Sequence, residues 1–169
     1  ETTLIAKVAG TVLSLGGKDG EILPEGNLLL SIYDPDQAFL LAQKESGYLD
    51  AREQYNGVIE YDYPAALQEL DRLTRNLERA RKDEQDARVL LAEGAISQNA
   101  YMDYQNALQT AETQWNSERL RIETLAPGGS KRESLKYRMD NAKALYDSTA
   151  IKEEDYNIRA EGETIILKS

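Results

Sequence analysis

The chain has 169 residues, room for one domain or for a small domain with an extension, and its single Phe and single Trp leave little for a thick core. Thirty acidic against 20 basic residues give a formal charge of −10, which opposes both a phosphate-tracking groove and a polybasic membrane anchor and argues against nucleic acid as a partner. With neither Cys nor His, disulfides, thiolate nucleophiles and the commonest general base and metal ligand are missing, so the composition points away from an enzyme and away from a bound metal or cofactor.

The chain has no charged-then-apolar leader and no apolar run of about 18 residues. Its opening, Glu1-Thr2-Thr3-Leu4, reads as mid-strand, as in a fragment of a longer protein. Residues 1–33 carry three short apolar stretches, Leu4 to Val8, Thr11 to Leu15 and Leu28 to Ile32, separated by Gly10, Gly16-Gly17, Gly20 and Pro24-Glu25-Gly26. That pattern predicts strands joined by tight turns. Asp34-Pro35-Asp36-Gln37 then offers an N-cap, a proline at the first helical position and a capping-box Gln. A helical pattern follows over 34–157. Residues 158–169 return to strand-like composition with Thr164-Ile165-Ile166-Leu167.

The helical region folds back on itself. Pro64 lies 30 residues before Gly94 and Pro127 lies 33 residues after it, so a turn at Glu93-Gly94-Ala95-Ile96 brings the two breaks level. This predicts a tip near 92–97 and a joint near 60–65 and 126–130. Pro64, Pro127, Gly128 and Gly129 are the expected hinge residues, with Ser130-Lys131-Arg132-Glu133 a capping box that restarts the return arm.

Heptads run through both arms. Ala66, Leu70, Leu73, Leu77, Ala80, Glu84, Ala87 and Leu91 line the outward arm, and Tyr101, Tyr104, Leu108, Ala111, Trp115, Glu118, Ile122 and Leu125 the return arm, each at alternating spacings of three and four. Folding at Gly94 sets Ala87 opposite Tyr101, Ala80 opposite Leu108, Leu77 opposite Ala111 and Leu73 opposite Trp115, mostly small against large. Below the joint Leu41, Glu45, Tyr48, Arg52, Tyr55 and Ile59 are expected to face Thr149, Tyr146, Ala142, Met139, Leu135 and the start of the last helix. The polar seam residues Glu84, Glu118 and Arg52 require a hydroxyl or guanidinium partner or a wet seam, and such residues usually fix register.

Leu4-Ile5-Ala6-Lys7-Val8-Ala9-Gly10-Thr11-Val12, followed by Gly20, Leu23, Gly26, Leu29, Ile32 and Asp34, resembles the first half of a biotinyl-lipoyl domain in membrane fusion proteins, the periplasmic adaptor subunits of bacterial ABC- and RND-type exporters. In that family an α-helical hairpin is inserted between two lipoyl halves. Ile158-Arg159-Ala160-Glu161-Gly162 stands where the second half would resume, without the family's Pro and with the Gly two residues early. No lysine lies between Lys18 and Lys44, so the attachment site of a biotin or lipoate carrier is missing and the carrier-domain reading loses its chemical centre.

The resemblance extends to the tip, which is similar to that of adaptors docking on TolC-like outer-membrane channels. The family places an Arg, a Leu four residues later and a Ser seven residues after that at the contact. Leu90 and Ser97 match, whereas Asp86 occupies the Arg position and Arg88 is the nearest cation. The resemblance thus implies a partner-binding tip of Arg88, Leu90, Leu91, Glu93, Gly94, Ser97 and Tyr101. Read from the residues alone, Gly94 is equally a helix C-cap and Ser97 a helix N-cap.

The expected fold is therefore α+β and mostly α: a long antiparallel coiled-coil hairpin, residues 34–157, inserted in a small biotinyl-lipoyl-like β domain formed by 1–33 and 158–169. By resemblance, the function is that of a non-enzymatic adaptor without a cofactor. It would bridge an inner-membrane transporter to an outer-membrane channel or the cell wall, as a homo-oligomeric ring anchored on the outer side of the cytoplasmic membrane. The alternative is a structural coiled-coil protein with no transport role.

Overall fold

The computed structural model describes residues 8–162 and 164–165. The expected strand at 4–8 lies almost wholly outside them, as do the Glu1–Leu4 opening and residues 166–167 of the last expected strand. In chain order the elements are β1 (Thr11–Leu15), β2 (Ile22–Leu23), β3 (Leu28–Tyr33), α1 (Pro35–Gly57), a π turn (Val58–Asp62), α2 (Tyr63–Ala92), α3 (Gln98–Leu125), α4 (Ser130–Glu154), β4 (Asn157–Arg159) and β5 (Thr164–Ile165). The chain is mostly helical, with two long helices forming a hairpin and a small sheet beside them in sequence. Among the described residues no helix is long and apolar enough to cross a membrane. Two compact units emerge, one of Glu1–Ala51 with Arg138–Ser169 and the other of Arg52–Tyr137.

The first unit joins strands from both sides of the helical insertion. β3 is the centre of a three-stranded antiparallel sheet, β1-β3-β4, with Val12 opposite Ile32 and Leu30 opposite Ile158. A bulge between Val12 and Ser14 breaks the β1–β3 register. β2, which the sequence pattern misses, pairs β5 through Ile22 and Ile165. Leu23, Leu29 and Ala160 form the small buried cluster between these pieces. The Ala160 N–H donates to Asn27 O at 2.9 Å, and the Gly26 N–H donates to Ala160 O at 2.8 Å.

Asp34 ties both helical segments of this unit to the sheet. Its Oδ1 accepts the Asp36 N–H at 2.9 Å, the expected cap of α1, and its Oδ2 accepts the Tyr156 hydroxyl at 3.1 Å just after α4. Burial and the Asp34 carboxylate together hold the Tyr156 phenol above its usual range. The second half of the expected capping box does not form. Gln37 instead donates its amide to Thr149 O at 3.2 Å, because a carbonyl across the helix pair is within its reach. Tyr48 stacks on Tyr146 with ring centroids 6.2 Å apart, rather than facing Ala142 as expected. Two flat rings bury more area on each other than either buries on a methyl group. α4 ends at Glu154, three residues short of the expected limit, where Asp155 and Tyr156 turn the chain into β4.

The second unit is built on the α2–α3 hairpin, whose arms are about 45 and 42 Å long at 1.5 Å per residue. All eight expected seam residues of α2 are buried or half-buried. Seven of the eight on α3 are too, and Tyr104 is the exposed exception. The two polar seam residues of this hairpin find the expected partners. Glu84 Oε1 accepts the Tyr101 hydroxyl at 2.5 Å, and Glu118 accepts Arg121 at 3.0 Å. Trp115 Nε1 also donates to Thr74 Oγ1 at 3.0 Å across the seam.

Candidate functional site: hairpin tip and joint

At the tip, α2 closes with Glu93 as C-cap and Gly94 at φ +74, a left-handed backbone that glycine adopts without strain. The Gly94 N–H donates to Leu91 O and the Ala95 N–H to Leu90 O, satisfying carbonyls that the helix end leaves open. Ser97 caps α3, its Oγ accepting the Ala100 N–H at 3.2 Å. Turn and caps are thus written into five residues.

Of the residues expected to meet a partner, Arg88, Leu90, Glu93, Gly94 and Ser97 are exposed and Leu91 is half-buried in the seam. Tyr101 differs from these in burial. It is only 8% exposed, and its hydroxyl is held by Glu84 and approached by Gln105 Nε2 at 3.3 Å. A seam position next to a closing turn is sealed by both arms, so Tyr101 belongs to the hairpin interior. The hydrogen bond to the Glu84 carboxylate is the main force raising its pKa, with burial adding and Arg88 opposing. Sequence reasoning passed over two other residues: Val89 and Met102 are each about half exposed on the outside of the tip. The available signal was that both are apolar at positions outside the heptad seam.

The joint differs from expectation on one arm. Pro64 does not break the outward arm; Asp62 and Tyr63 keep right-handed helical angles, and Pro64 sits in the first turn of α2. The strain is taken up by the π turn, in which the Tyr63 N–H donates to Val58 O, five residues back. In an α-helix the proline ring would collide with the Glu60 carbonyl, and the wider turn carries that carbonyl aside. The return arm does break. Ala126 is extended (φ −62, ψ 163), as a residue before proline prefers, and Gly128 takes φ +81. Ser130 is not the expected cap but the first residue of α4, and the Glu133 N–H donates to Gly129 O at 2.9 Å.

Between the arms, Val58, Ala66 and Leu125 form a cluster that is at most 2% exposed, with Tyr63, Ile122 and Leu135 packed on it. Lys131 Nζ lies 3.5 Å from Asp62 Oδ2 across the joint. The hairpin thus carries a buried apolar node at the joint and a capped turn at the tip.

No protein-family model matches the sequence, and no curated protein sequence is similar to it. The chain is similar to the solved structure of the periplasmic adaptor protein EmrA, at 11% identity and a TM-score of 0.46, over 94% of this chain and 63% of that one. It is also similar to MacA from Actinobacillus actinomycetemcomitans, at 17% identity and a TM-score of 0.48, over 95% of this chain and 43% of that one. A protein named as an efflux transporter from Bacteroides eggerthii is similar at 15% identity and a TM-score of 0.37, over 96% of this chain and 31% of that one. The chain therefore spans under two thirds of each of these proteins.

Proposed function

We propose that this chain is the hairpin-bearing part of an adaptor of a bacterial export system, with an assembly role and no catalytic one. The observation that supports it most is the pairing of strands from either side of the helical insertion. β3 with β4 and β2 with β5 close one β unit, as an interrupted lipoyl-like domain requires. A coiled-coil protein without that role has no need for its flanking segments to pair. No lysine lies between Lys18 and Lys44, so the stretch that carries the swinging arm in a carrier domain has none. On this reading 1–33 and 158–169 are the lipoyl halves, the parent protein is anchored on the outer side of the cytoplasmic membrane, and the base meets an inner-membrane transporter. The tip, through Leu90, Arg88, Glu93 and Ser97, meets an outer-membrane channel or the cell wall.

The test is co-purification of the full-length parent with its transporter, followed by photo-crosslinking from a residue placed at Ala95. Recovery of a transporter with the base and of an envelope protein with the tip supports the proposal. A parent that purifies with neither, from cells in which it is expressed at its natural level, returns the chain to the structural coiled-coil reading.

A further inference from the structure

Six residues of the hairpin line one open hollow of about 290 Å³ between its arms: Asn76, Arg79, Ala80 and Asp83 from α2, and Tyr104 and Ala107 from α3. The room comes from the two alanines and from a displaced seam residue. Tyr101 holds the interior place beside Glu84 through its hydroxyl, and Tyr104, one turn further on, is left 42% exposed. The volume lies just under that of pockets that take drug-sized ligands, and it has room for one long side chain.

The charge around the hollow is unbalanced. Asp83 lines it. Asp86 stands three residues after Asp83 and Asp103 four residues before Ala107, spacings that keep each on the same face of its helix as that lining residue. These three carboxylates and Arg79 are all exposed, and none of the four forms an ion pair among the described residues. Counting Lys82 with Arg79 still leaves three carboxylates against two cations. Methyl groups, a tyrosine ring and an excess of carboxylate are the complement of a guanidinium on an aliphatic stem. The stem would lie on Ala80 and Ala107, and the planar head on the Tyr104 ring within reach of Asp83.

We infer that this hollow docks an arginine side chain of a partner protein. Ala80 is 14 residues before Gly94, so the contact lies about 20 Å below the turn at 1.5 Å per residue. The partner therefore meets the side of the hairpin as well as its tip, with a basic surface facing the carboxylates. The inference rests on the adaptor reading only for the source of the arginine, an envelope protein that the hairpin reaches.

The chain has no cysteine, which gives a clean test with the whole 169-residue protein. Ala107→Cys is made at an exposed position, and circular dichroism confirms that it folds. It is equilibrated in a thiol buffer with equal amounts of small disulfides ending in guanidinium, hydroxyl or carboxylate, and the adducts are weighed by mass spectrometry. The guanidinium adduct should exceed the hydroxyl adduct at least fivefold, but less than twofold at Ser117→Cys, the control for the general pull of an acidic chain on cations. Asp83→Asn and Tyr104→Leu should each at least halve the preference at 107. In cells, a photo-crosslinking residue placed at Ala107 of the full-length parent should capture a protein, and Asp83→Asn should cut that product at least threefold while crosslinks from Ala95 persist. Equal guanidinium preference at 107 and 117, a product that is only a second copy of the parent, or no Asp83-dependent product from Ala107 overturns the inference. If Ala95 still captures an envelope protein, the inference falls alone; if Ala95 captures none, the adaptor reading falls with it.

Discussion

Gly128 and Gly129 stand side by side at the joint and are glycines for different reasons. Gly128 has φ +81 and open space where a Cβ would go, so Gly128→Ala costs only the backbone strain of a left-handed alanine, about 1 kcal/mol. At Gly129 an added Cβ would sit 2.4 Å from both Glu123 O and Thr124 O, the end of α3. Those carbonyls belong to a rigid helix, so Gly129→Ala should cost about 2–3 kcal/mol. Urea unfolding should show a lower midpoint at unchanged slope for both, with the larger shift at 129; equal shifts would refute the distinction. Tyr101 gives a prediction in pH. The Glu84 hydrogen bond raises its folded-state pKa above the usual phenol value, so the folded chain holds that proton longer than the unfolded chain does. The resulting stabilisation is complete below about pH 10 and is lost as pH rises through the raised value. Tyr101→Phe should therefore be less stable than the parent by a constant amount at neutral pH, and the gap should narrow above pH 10. A gap independent of pH to the limit of folding would remove the hydrogen bond as its cause.

At the scale of elements, the hairpin was legible because a heptad repeats one physical requirement many times. Fifteen of 16 expected α2 and α3 seam residues are buried or half-buried, and the turn between them is set by Gly94 and Ser97. The joint was legible only on the return arm, where Pro127-Gly128-Gly129 leaves no helical option. Pro64 reads as the same kind of break, yet its consequence depends on whether the preceding turn can widen, and packing of Val58 and Ala66 on Leu125 decides that. No local signal carries this information. The same limit explains Tyr48, whose stacking partner is chosen by contact across two helices, and β2, whose two residues become a strand only because β5 lies beside them. Ser97 offers a test at this scale, since capping and docking make different demands on it. Ser97→Ala should destabilise the chain by about 1 kcal/mol, and Ser97→Asp should restore nearly all of it, because a carboxylate also accepts the Ala100 N–H. Thermal or urea unfolding decides this directly. An unchanged midpoint for Ser97→Ala would mean that the hydroxyl contributes nothing to α3 and serves only contacts outside the chain.

For the whole molecule, apolar burial is unequally shared. The unit containing the hairpin holds Val58, Ala66, Leu73, Leu77, Ala87, Tyr101 and Leu125 in its interior, spread along both long helices. The other unit gathers its fully buried apolar residues, Leu23, Leu29, Ile32 and Ala160, around strands of two to six residues, with β1 exposed along its whole length. Local opening follows the density of buried apolar contacts and the accessibility of backbone hydrogen bonds, so the β unit should open first. Native-state hydrogen exchange should find the amides of Leu73, Leu77 and Leu108 at least tenfold more protected than those of Leu30 and Ile32, a difference of about 1.4 kcal/mol or more. Leu29→Ala sharpens the test. It removes the centre of the small cluster, at a cost of about 2–3 kcal/mol to whatever cooperative unit contains it. If that unit is the β portion alone, exchange at Leu30 and Ile32 should accelerate strongly while Leu73, Leu77 and Leu108 keep their rates. Equal acceleration at all five amides would mean that strands and hairpin unfold as one body, and the hairpin would then owe its stability to the paired ends of the chain rather than to its own seam.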